Sequence, residues 1–274
     1  MEYITLEDTV NDIEITLRNH GLFNTLRAFE GFETANITNV LTEVASNRGS
    51  HFSNSKYSYR ALSFTGELYG ASVLALRRTL LSPTVADGNL KLLKFGTTDG
   101  LDLQTEVTVN RIEMPYGQAV NTFTFECYAP DPFFYSQELN SFEIGQLTGI
   151  GGTAIPCSVP VVMFNETGGQ QPNEVTNAGN AMVYPVLYIT GSGSDFIVKN
   201  NTTGKQFEIE TTITDKTIVV DTQAGTVKTG STSYYDDFIG EFWQLKPGIN
   251  QIGLEVLGGV ATLTVVWRDS YLGL

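Results

Sequence analysis

Residues 121–135 read NTFTFECYAPDPFFY, and this stretch indicates both a type of secondary structure and a change of domain. Its first half alternates apolar and polar residues, with the apolar ones at Phe123, Phe125 and Cys127. Because successive side chains of a strand point to opposite faces, this alternation predicts a strand with one buried face. The residues Pro130-Asp131-Pro132 follow, and two prolines so close together end a strand and stiffen a linker. We therefore place a domain boundary after Tyr135.

The same alternation recurs on both sides of that boundary. Apolar residues at every second position fall in runs that contain Ile13, Ile15 and Leu17; Leu101 and Leu103; Val107 and Val109; Phe207 and Ile209; Ile252, Leu254 and Val256; and Leu263, Val265 and Trp267. Residue pairs typical of tight turns separate such runs, namely Asp99-Gly100, Thr203-Gly204, Pro247-Gly248 and Gly258-Gly259. Residues 168–180 are polar and predict a surface loop. The chain is therefore predicted to be mainly β.

One segment departs from this pattern. Between Gly70 and Leu81, apolar residues recur at spacings of three and four, which predicts an amphipathic helix. Leu74 and Leu81 widen its apolar stripe. Arg77 and Arg78 lie late in the segment, where cations offset the negative end of a helix dipole.

Length and charge limit the classes of function. The chain has 274 residues, of which 41% are hydrophobic and 17% charged; the composition is that of a globular protein, and the length fits one large or two medium domains. The net charge is -14. Such a charge disfavours nucleic acid and anionic membranes as partners, because phosphates are repelled. No apolar run approaches the ~20 residues of a membrane span, and residues 1–12 lack the basic residues of a signal peptide. We expect a soluble protein made in a reducing cytoplasm.

The residue types needed for catalysis or metal binding do not occur in a recognisable arrangement. The two histidines, His20 and His51, lack metal-site spacing, and the two cysteines, Cys127 and Cys157, lie in no CxxC motif. Residues 191–194, Gly-Ser-Gly-Ser, resemble a nucleotide loop superficially but lack the GxGxxG spacing, and they predict a turn between strands. We therefore predict no catalytic, cofactor-binding or metal-binding residues.

Two features keep a carbohydrate-related role open. Glycosidases use paired carboxylates, and Asp236-Asp237 follow Tyr234-Tyr235 in a predicted loop suited to lining a sugar groove. The acids Glu208 and Glu210 alternate with apolar residues and are expected on the solvent face of a strand. Trp243 and Trp267 are suited to stacking on sugars. Their strand contexts favour burial in the core, which is the reading we adopt.

In order along the chain, several stretches resemble the distal tail proteins of siphophages. Residues 57–70, from Tyr57-Ser58-Tyr59-Arg60 to the glycine turn, precede the predicted helix, and residues 123–135 end with Asp131-Pro132 before aromatic residues. In the second half the landmarks are Asn177-Ala178-Gly179, Tyr184-Pro185-Val186, Ile197-Val198-Lys199-Asn200, Ile218-Val219-Val220-Asp221, Phe242-Trp243-Gln244-Leu245-Lys246-Pro247-Gly248 and Val265-Val266-Trp267-Arg268-Asp269. Their order is that of the family. Residues 149–173 match nothing in it.

The resemblance implies a β-sandwich or split-barrel domain with one helix, residues 1–135, followed by a galectin-like β-sandwich, residues 136–274. It implies a homo-hexameric ring that connects the tail tube protein to the tail-associated hub protein and, in some members, holds receptor-binding proteins. The protein would be part of the virion, at the distal end of the phage tail, after assembly in the host cytoplasm. The family contributes no catalytic residues or cofactors.

Two other functions remain as alternatives. A galectin-like domain would also suit a carbohydrate-binding module for adhesion to the host surface, because a fold does not decide a function. A glycan-degrading enzyme is the third reading. Formation of a ring distinguishes the structural reading from the other two.

Overall fold

The computed structural model describes residues 1–18, 24–43, 50–68, 73–82, 85, 87–115, 121–145 and 173–274. The elements before residue 146 are β1 Tyr3–Asp8, β2 Ile13–Arg18, β3 Asn24–Glu30, β4 Ile37–Glu43, β5 Ser50–Tyr57, β6 Arg60–Leu68, α1 Val73–Leu80, β7 Lys91–Gly96, β8 Asp102–Glu113, β9 Asn121–Ala129, β10 Phe134–Ser136 and β11 Asn140–Gly145. Those after residue 172 are β12 Glu174–Asn177, β13 Val186–Asn200, β14 Lys205–Asp221, β15 Thr226–Thr229, β16 Thr232–Ser233, a 3₁₀ turn Tyr235–Asp237, β17 Phe238–Gly240, β18 Gly248–Trp267 and β19 Ser270–Tyr271. The predicted mainly-β fold class is confirmed.

The chain divides into two compact units. Unit 1 comprises Met1–Glu138 together with Ser270–Leu274, and unit 2 comprises Leu139–Asp269. The boundary expected from the sequence, after Tyr135, lies three residues before the first structural boundary. The sequence-based division also assigned residues 270–274 to the second domain, whereas the structure places them in unit 1. The reason is that β19 pairs with β10, a strand that is distant in sequence.

In unit 1 the long strand β8 pairs with two groups of antiparallel strands, one along each half of its length. The strand order is β2-β1-β7-β8-β9-β6-β3. Residues 102–107 of β8 pair with β7, whereas residues 108–113 pair with β9, with a register shift between Val109 and Arg111. Apolar side chains from both groups meet in one core, which includes Ile4, Leu6, Leu62, Phe64, Leu93, Phe95, Phe123 and Phe125. The alternation in residues 121–128 arises from this buried face of β9.

Unit 2 is built around β13, β14 and β18, which are 15, 17 and 20 residues long. The strand order is β11-β18-β13-β14-β15-β16, and β12 and β17 pair with β18 and β14. The two apolar runs expected as separate strands, around Leu254 and around Leu263, belong to the single strand β18. Its first residues pair with β12 and its last residues pair with β11.

Two glycine-rich segments predicted to be turns lie inside strands, so that prediction is wrong. Residues 191–194 belong to β13, and Gly258-Gly259 belong to β18, where the two strands pair with a register shift. A Cβ atom on Gly259 would lie 2.1 Å from the carbonyl oxygen of Ser192. Glycine is needed here because two backbones approach closely at a bulge. The turns at Gly100 and Gly204, by contrast, are confirmed, and both residues have positive φ.

Two further predictions need correction. The polar stretch 168–180 was expected to be a loop, but Glu174–Asn177 form β12 and pair with residues 248–251; residues 168–172 lie outside the described part of the chain. The predicted helix is present as Val73–Leu80, and Leu74 and Leu81 point outward, 56% and 45% exposed, instead of widening the buried stripe. The polar composition of β12 hides the fact that it is a strand. In α1, the apolar Leu74 and Leu81 suggest a buried position although both are exposed.

Candidate assembly surfaces

A two-stranded hairpin in unit 1 presents an apolar face. Strands β4 and β5 pair with each other and form a sheet of their own. Their register places Ile37 opposite Tyr57 and Leu41 opposite Phe52, with a bulge between Val40 and Leu41. Residues directly opposite each other in an antiparallel pair share a face. These four apolar side chains therefore lie on one face, which we call the hairpin face.

The hairpin face is open to solvent. Its four side chains are between 45% and 60% exposed. The base of the hairpin is held by the Ser58 N–H, which donates to the Asn36 carbonyl oxygen at 2.9 Å, and by the Tyr57 ring, which packs edge-on against Phe133. An isolated two-stranded hairpin is marginally stable in water, and a contiguous exposed apolar patch is typical of an interaction surface. The hairpin therefore has the properties of an element that is covered on assembly.

Helix α1 presents a second exposed apolar surface. Leu80 is buried in the core and Val73 packs against it. Leu74, Arg78 and Leu81, at spacings of four and three, follow one outward stripe. With Arg77 and Ser82 they line a shallow depression of about 410 Å³. We call this stripe the helix face.

The helix face is cationic in a protein of net charge -14. Arg77 and Arg78 are adjacent, and the Arg77 guanidinium donates to the Pro115 carbonyl oxygen at 3.4 Å. Several other cations of unit 1 are held in ion pairs, namely Arg27 with Glu67, Lys94 with Glu7, and Arg111 with Glu113. The helix face therefore combines exposed apolar side chains with two arginines.

A buried ionic cluster stabilises the end of β1. The Lys91 ammonium, almost fully buried, lies 2.6 Å from an Asp8 carboxylate oxygen and 3.0 Å from one of Asp87. Hydrogen bonds from Lys91 and then from Asn11 lower the pKa of Asp8. The Asn89 backbone N–H, followed by Lys91, lowers the pKa of Asp87 to about 2. Burial acts to lower the pKa of Lys91, but the two carboxylates outweigh it and raise that pKa.

The residues weighed for sugar chemistry do not form a groove around the tryptophans. Trp243 and Trp267 are 1% and 7% exposed, so their predicted place in the core is confirmed. Glu208 and Glu210 flank buried Ile209 on the solvent side of β14, as expected. Asp236 and Asp237 lie in the 3₁₀ turn, beside the exposed Tyr235. Because both indoles are buried, neither is available to stack on a sugar.

The residues weighed for metal or thiol chemistry are only partly described. Burial raises the pKa of the Cys127 thiol to about 12, which keeps it protonated and unreactive. His20, Cys157 and the side chain of His51 lie outside the described residues. Over the described ranges, His, Cys, Asp and Glu side chains form no group of three or more that would hold a metal ion. Within the same ranges, no helix has the length and hydrophobicity to cross a membrane.

Sequence reasoning missed the hairpin face. The residues of β4 and β5 are mainly Thr, Asn and Ser, with isolated apolar residues that give only a weak alternation. The apolar face becomes visible only from the strand register, which brings Leu41 next to Phe52. The bulge at Ser53 also shifts by one residue which positions of β5 point to that face. The helix was found, but Leu74 and Leu81 were counted with the other apolar residues in a single stripe, whereas the structure exposes them.

Solved structures with the same fold are phage tail proteins. The Dit protein of phage SPP1, described as a paradigm of the hub adsorption apparatus in phages that infect Gram-positive bacteria, matches with a TM-score of 0.64. The match covers 97% of this chain and 98% of that chain at 13% identity. A chain of the phage P2 baseplate, in its activated conformation with Ca, matches with a TM-score of 0.50 at 10% identity over 97% of both chains. The chain therefore shares its fold with these two phage proteins.

A family model matches most of unit 2. Residues 178–271 match the family described as siphovirus-type tail component, C-terminal domain. This match bears out the resemblance to siphophage distal tail proteins that the sequence predicted. No curated protein sequence matches the chain.

Proposed function

We propose that the chain is a distal tail protein, six copies of which form a ring between the tail tube and the tail-tip hub. Unit 1 builds the ring and unit 2 lies at its periphery. The tail tube protein, the tail-associated hub protein and a receptor-binding protein are the partners. The proposal rests on the match of residues 178–271 to a siphovirus-type tail component and on the fold shared with the SPP1 and P2 proteins.

The observation that carries the ring is the presence of two different exposed apolar surfaces on unit 1. In a cyclic assembly each copy contacts its neighbours through two distinct, complementary patches. The hairpin face is apolar and the helix face is apolar and cationic. Together they supply the two surfaces that a heterologous contact needs.

The charge of the chain supports the same role. Six copies of a chain of net charge -14 would carry a total of -84. Genomic DNA has to pass the tail tip without being retained. An acidic ring offers few cations to replace the counterions of the phosphates, so it binds DNA weakly.

The test is the symmetry and mass of the assembly. Negative-stain images of concentrated protein and of intact tails are expected to show a sixfold particle, located at the tip in the tails. Light scattering of the particle should give about 180 kDa, six times 30.0 kDa. Absence of a sixfold particle from both preparations would contradict the proposal. A monomer in dilute solution would not, because the tube or the hub can act as a template for the ring.

A further inference from the structure

Arg60, the first residue of β6, is buried in unit 1, and backbone carbonyl groups surround its guanidinium. It is 2% exposed. Its guanidinium donates to four carbonyl oxygens, those of Gly31, Glu33, Pro132 and Leu272. The bonds to Pro132 and Gly31 are both 2.8 Å long. The guanidinium also lies 4.3 Å from the centre of the Phe134 ring. Arg60 thus joins three segments of unit 1 with the segment that follows unit 2.

The segment Ser270–Leu274, which we call the latch, makes further contacts with the same region. Ser270 and Tyr271 pair with Tyr135 and Phe134 of β10. The Leu274 N–H donates to the Phe32 carbonyl oxygen at 3.0 Å. A Cβ atom on Gly273 would lie 1.7 Å from the carbonyl oxygen of Glu33, so the latch fits closely against that loop.

The latch is part of the structural core of unit 1 although unit 2 precedes it in sequence. Phe134, next to the latch in the β10–β19 pair, is fully buried and stacks against Phe32. Without the latch, Arg60 loses the Leu272 acceptor and β10 loses its pairing with β19. A buried charged donor without its acceptor is costly. Residues 1–138 alone therefore lack a segment that their own packing requires.

We propose that unit 1 folds completely only when the latch is present. Because the latch follows unit 2 in the sequence, only a chain that also carries unit 2 can assemble. The coupling to assembly rests on the proposed role of unit 1 in the ring. A chain without the segment beyond Asp269 keeps an open Arg60 site and does not enter the ring. Each position in the ring then carries a peripheral unit 2.

The chain provides separate reporters for the two units. Both tryptophans, Trp243 and Trp267, belong to unit 2. Cys127 is fully buried in unit 1, and with Cys157→Ser it becomes the single thiol. The labelling rate of Cys127 with a thiol reagent measures opening of unit 1, and tryptophan fluorescence during thermal unfolding measures the stability of unit 2.

The experiment compares the full chain, a chain truncated after Asp269, Arg60→Lys and Gly273→Ala, all with Cys157→Ser. Gly253→Ala is the matched control, because a Cβ atom there has nothing within 4 Å. We expect labelling of Cys127 to become about tenfold faster or more in the three latch variants. Truncation and Arg60→Lys remove hydrogen bonds of a buried charged group, and a Cβ atom on Gly273 would collide with the carbonyl oxygen of Glu33 and displace the latch. Unfolding of unit 2 should not change, and the control should behave like the full chain.

The outcomes separate the latch from the ring. Unchanged labelling of Cys127 in the latch variants overturns the latch, whether or not the full chain forms a ring. Faster labelling combined with ring formation equal to that of the full chain overturns the coupling. Loss of the unit 2 transition in Gly273→Ala also overturns the inference, because the effect is then not confined to unit 1. If the full chain forms no ring, the proposed function fails while the labelling still tests the latch.

Discussion

Trp267 ends β18 and anchors the core of unit 2. Its indole Nε1–H donates to an Asp269 carboxylate oxygen at 3.1 Å, and that carboxylate also accepts from the Ala178 backbone N–H and the Asn140 side chain. The alternating sequence predicted burial of this tryptophan because every second residue before it is apolar. The partner Asp269 was not predictable, since a carboxylate in a turn has no sequence signal of its own.

Truncation of Trp267 is expected to destabilise unit 2 strongly. Trp267→Ala should lower the free energy of unfolding by about 3–5 kcal/mol, as truncation of buried aromatic residues does. Denaturant unfolding of the full chain, followed by the fluorescence of Trp243, measures the change. Tyr188→Ala, on the exposed side of β13, is the control and should cost much less. Unchanged unfolding of the Trp267 variant would instead indicate that this residue serves a surface function such as sugar binding.

The ionic cluster of Lys91 makes the stability of unit 1 sensitive to acid. The pKa of Asp8 is lowered in the folded protein, so its contribution is complete above its unfolded pKa, near 4, and is lost as the pH falls below it. Asp8→Asn should therefore lower the melting temperature clearly at pH 6, and the difference from the unsubstituted protein should shrink as the pH approaches 2. Asp99→Asn, in the turn after β7, is the control and should leave the melting temperature at pH 6 nearly unchanged. A difference for Asp8→Asn that is independent of pH would contradict this assignment.

At the scale of the element, the hairpin face is expected to act in assembly and not in folding. The double variant Leu41→Ser, Phe52→Ser should leave the melting of the free protein nearly unchanged, because both side chains are exposed. It should weaken ring formation at least tenfold, since a fully buried side chain of this kind contributes about 1.5–3 kcal/mol. Sedimentation or light scattering at several concentrations measures the change. Val40→Ser, on the opposite face of β4, is the matched control. Normal rings from the double variant would exclude the hairpin face as a contact.

The elements differ in how far local sequence determines them. β9 and β14 were predictable because strict alternation marks a strand with one buried face. The glycines at 191–193 and 258–259 were not, because the reason for them is the close approach of two strands more than 60 residues apart in sequence. The same limit applies to β12, a polar segment that is a strand only because β18 provides its partner. The outward stripe of α1 shows the converse case, in which apolar residues at helical spacing do not face the core.

At the scale of the whole molecule, the charge of the chain predicts weak interaction with DNA. Lys91 and Arg60 are buried. Other cations form ion pairs with acids, for example Lys199 with Glu255 and Lys205 with Glu241. A gel shift with duplex DNA at low salt is the sharpest test, because low salt strengthens any attraction to phosphate. We expect no shift at micromolar protein, with a basic DNA-binding protein as the positive control. A shift at that concentration would contradict the prediction.

The domain organisation was only partly accessible from the sequence. The prolines at 130 and 132 lie a few residues before Glu138, where unit 1 gives way to unit 2. The return of the chain into unit 1 had no such signal, because Ser270 and Tyr271 form a very short strand whose partner lies about 135 residues earlier. Arg60 was likewise unremarkable in sequence, although its four carbonyl partners make it the centre of that return.

The return of the chain also has a consequence for timing during protein synthesis. Domains commonly fold in the order in which they leave the ribosome, at about 5–20 residues per second. Unit 2 contributes the stretch from Leu139 to Asp269, so at that rate between about 7 and 26 seconds separate the synthesis of β10 from that of its partner β19. During this interval a nascent unit 1 has the edge of β10 and the Arg60 site uncovered. The N-terminal unit would therefore be the second to finish folding, although it is the first to be synthesised.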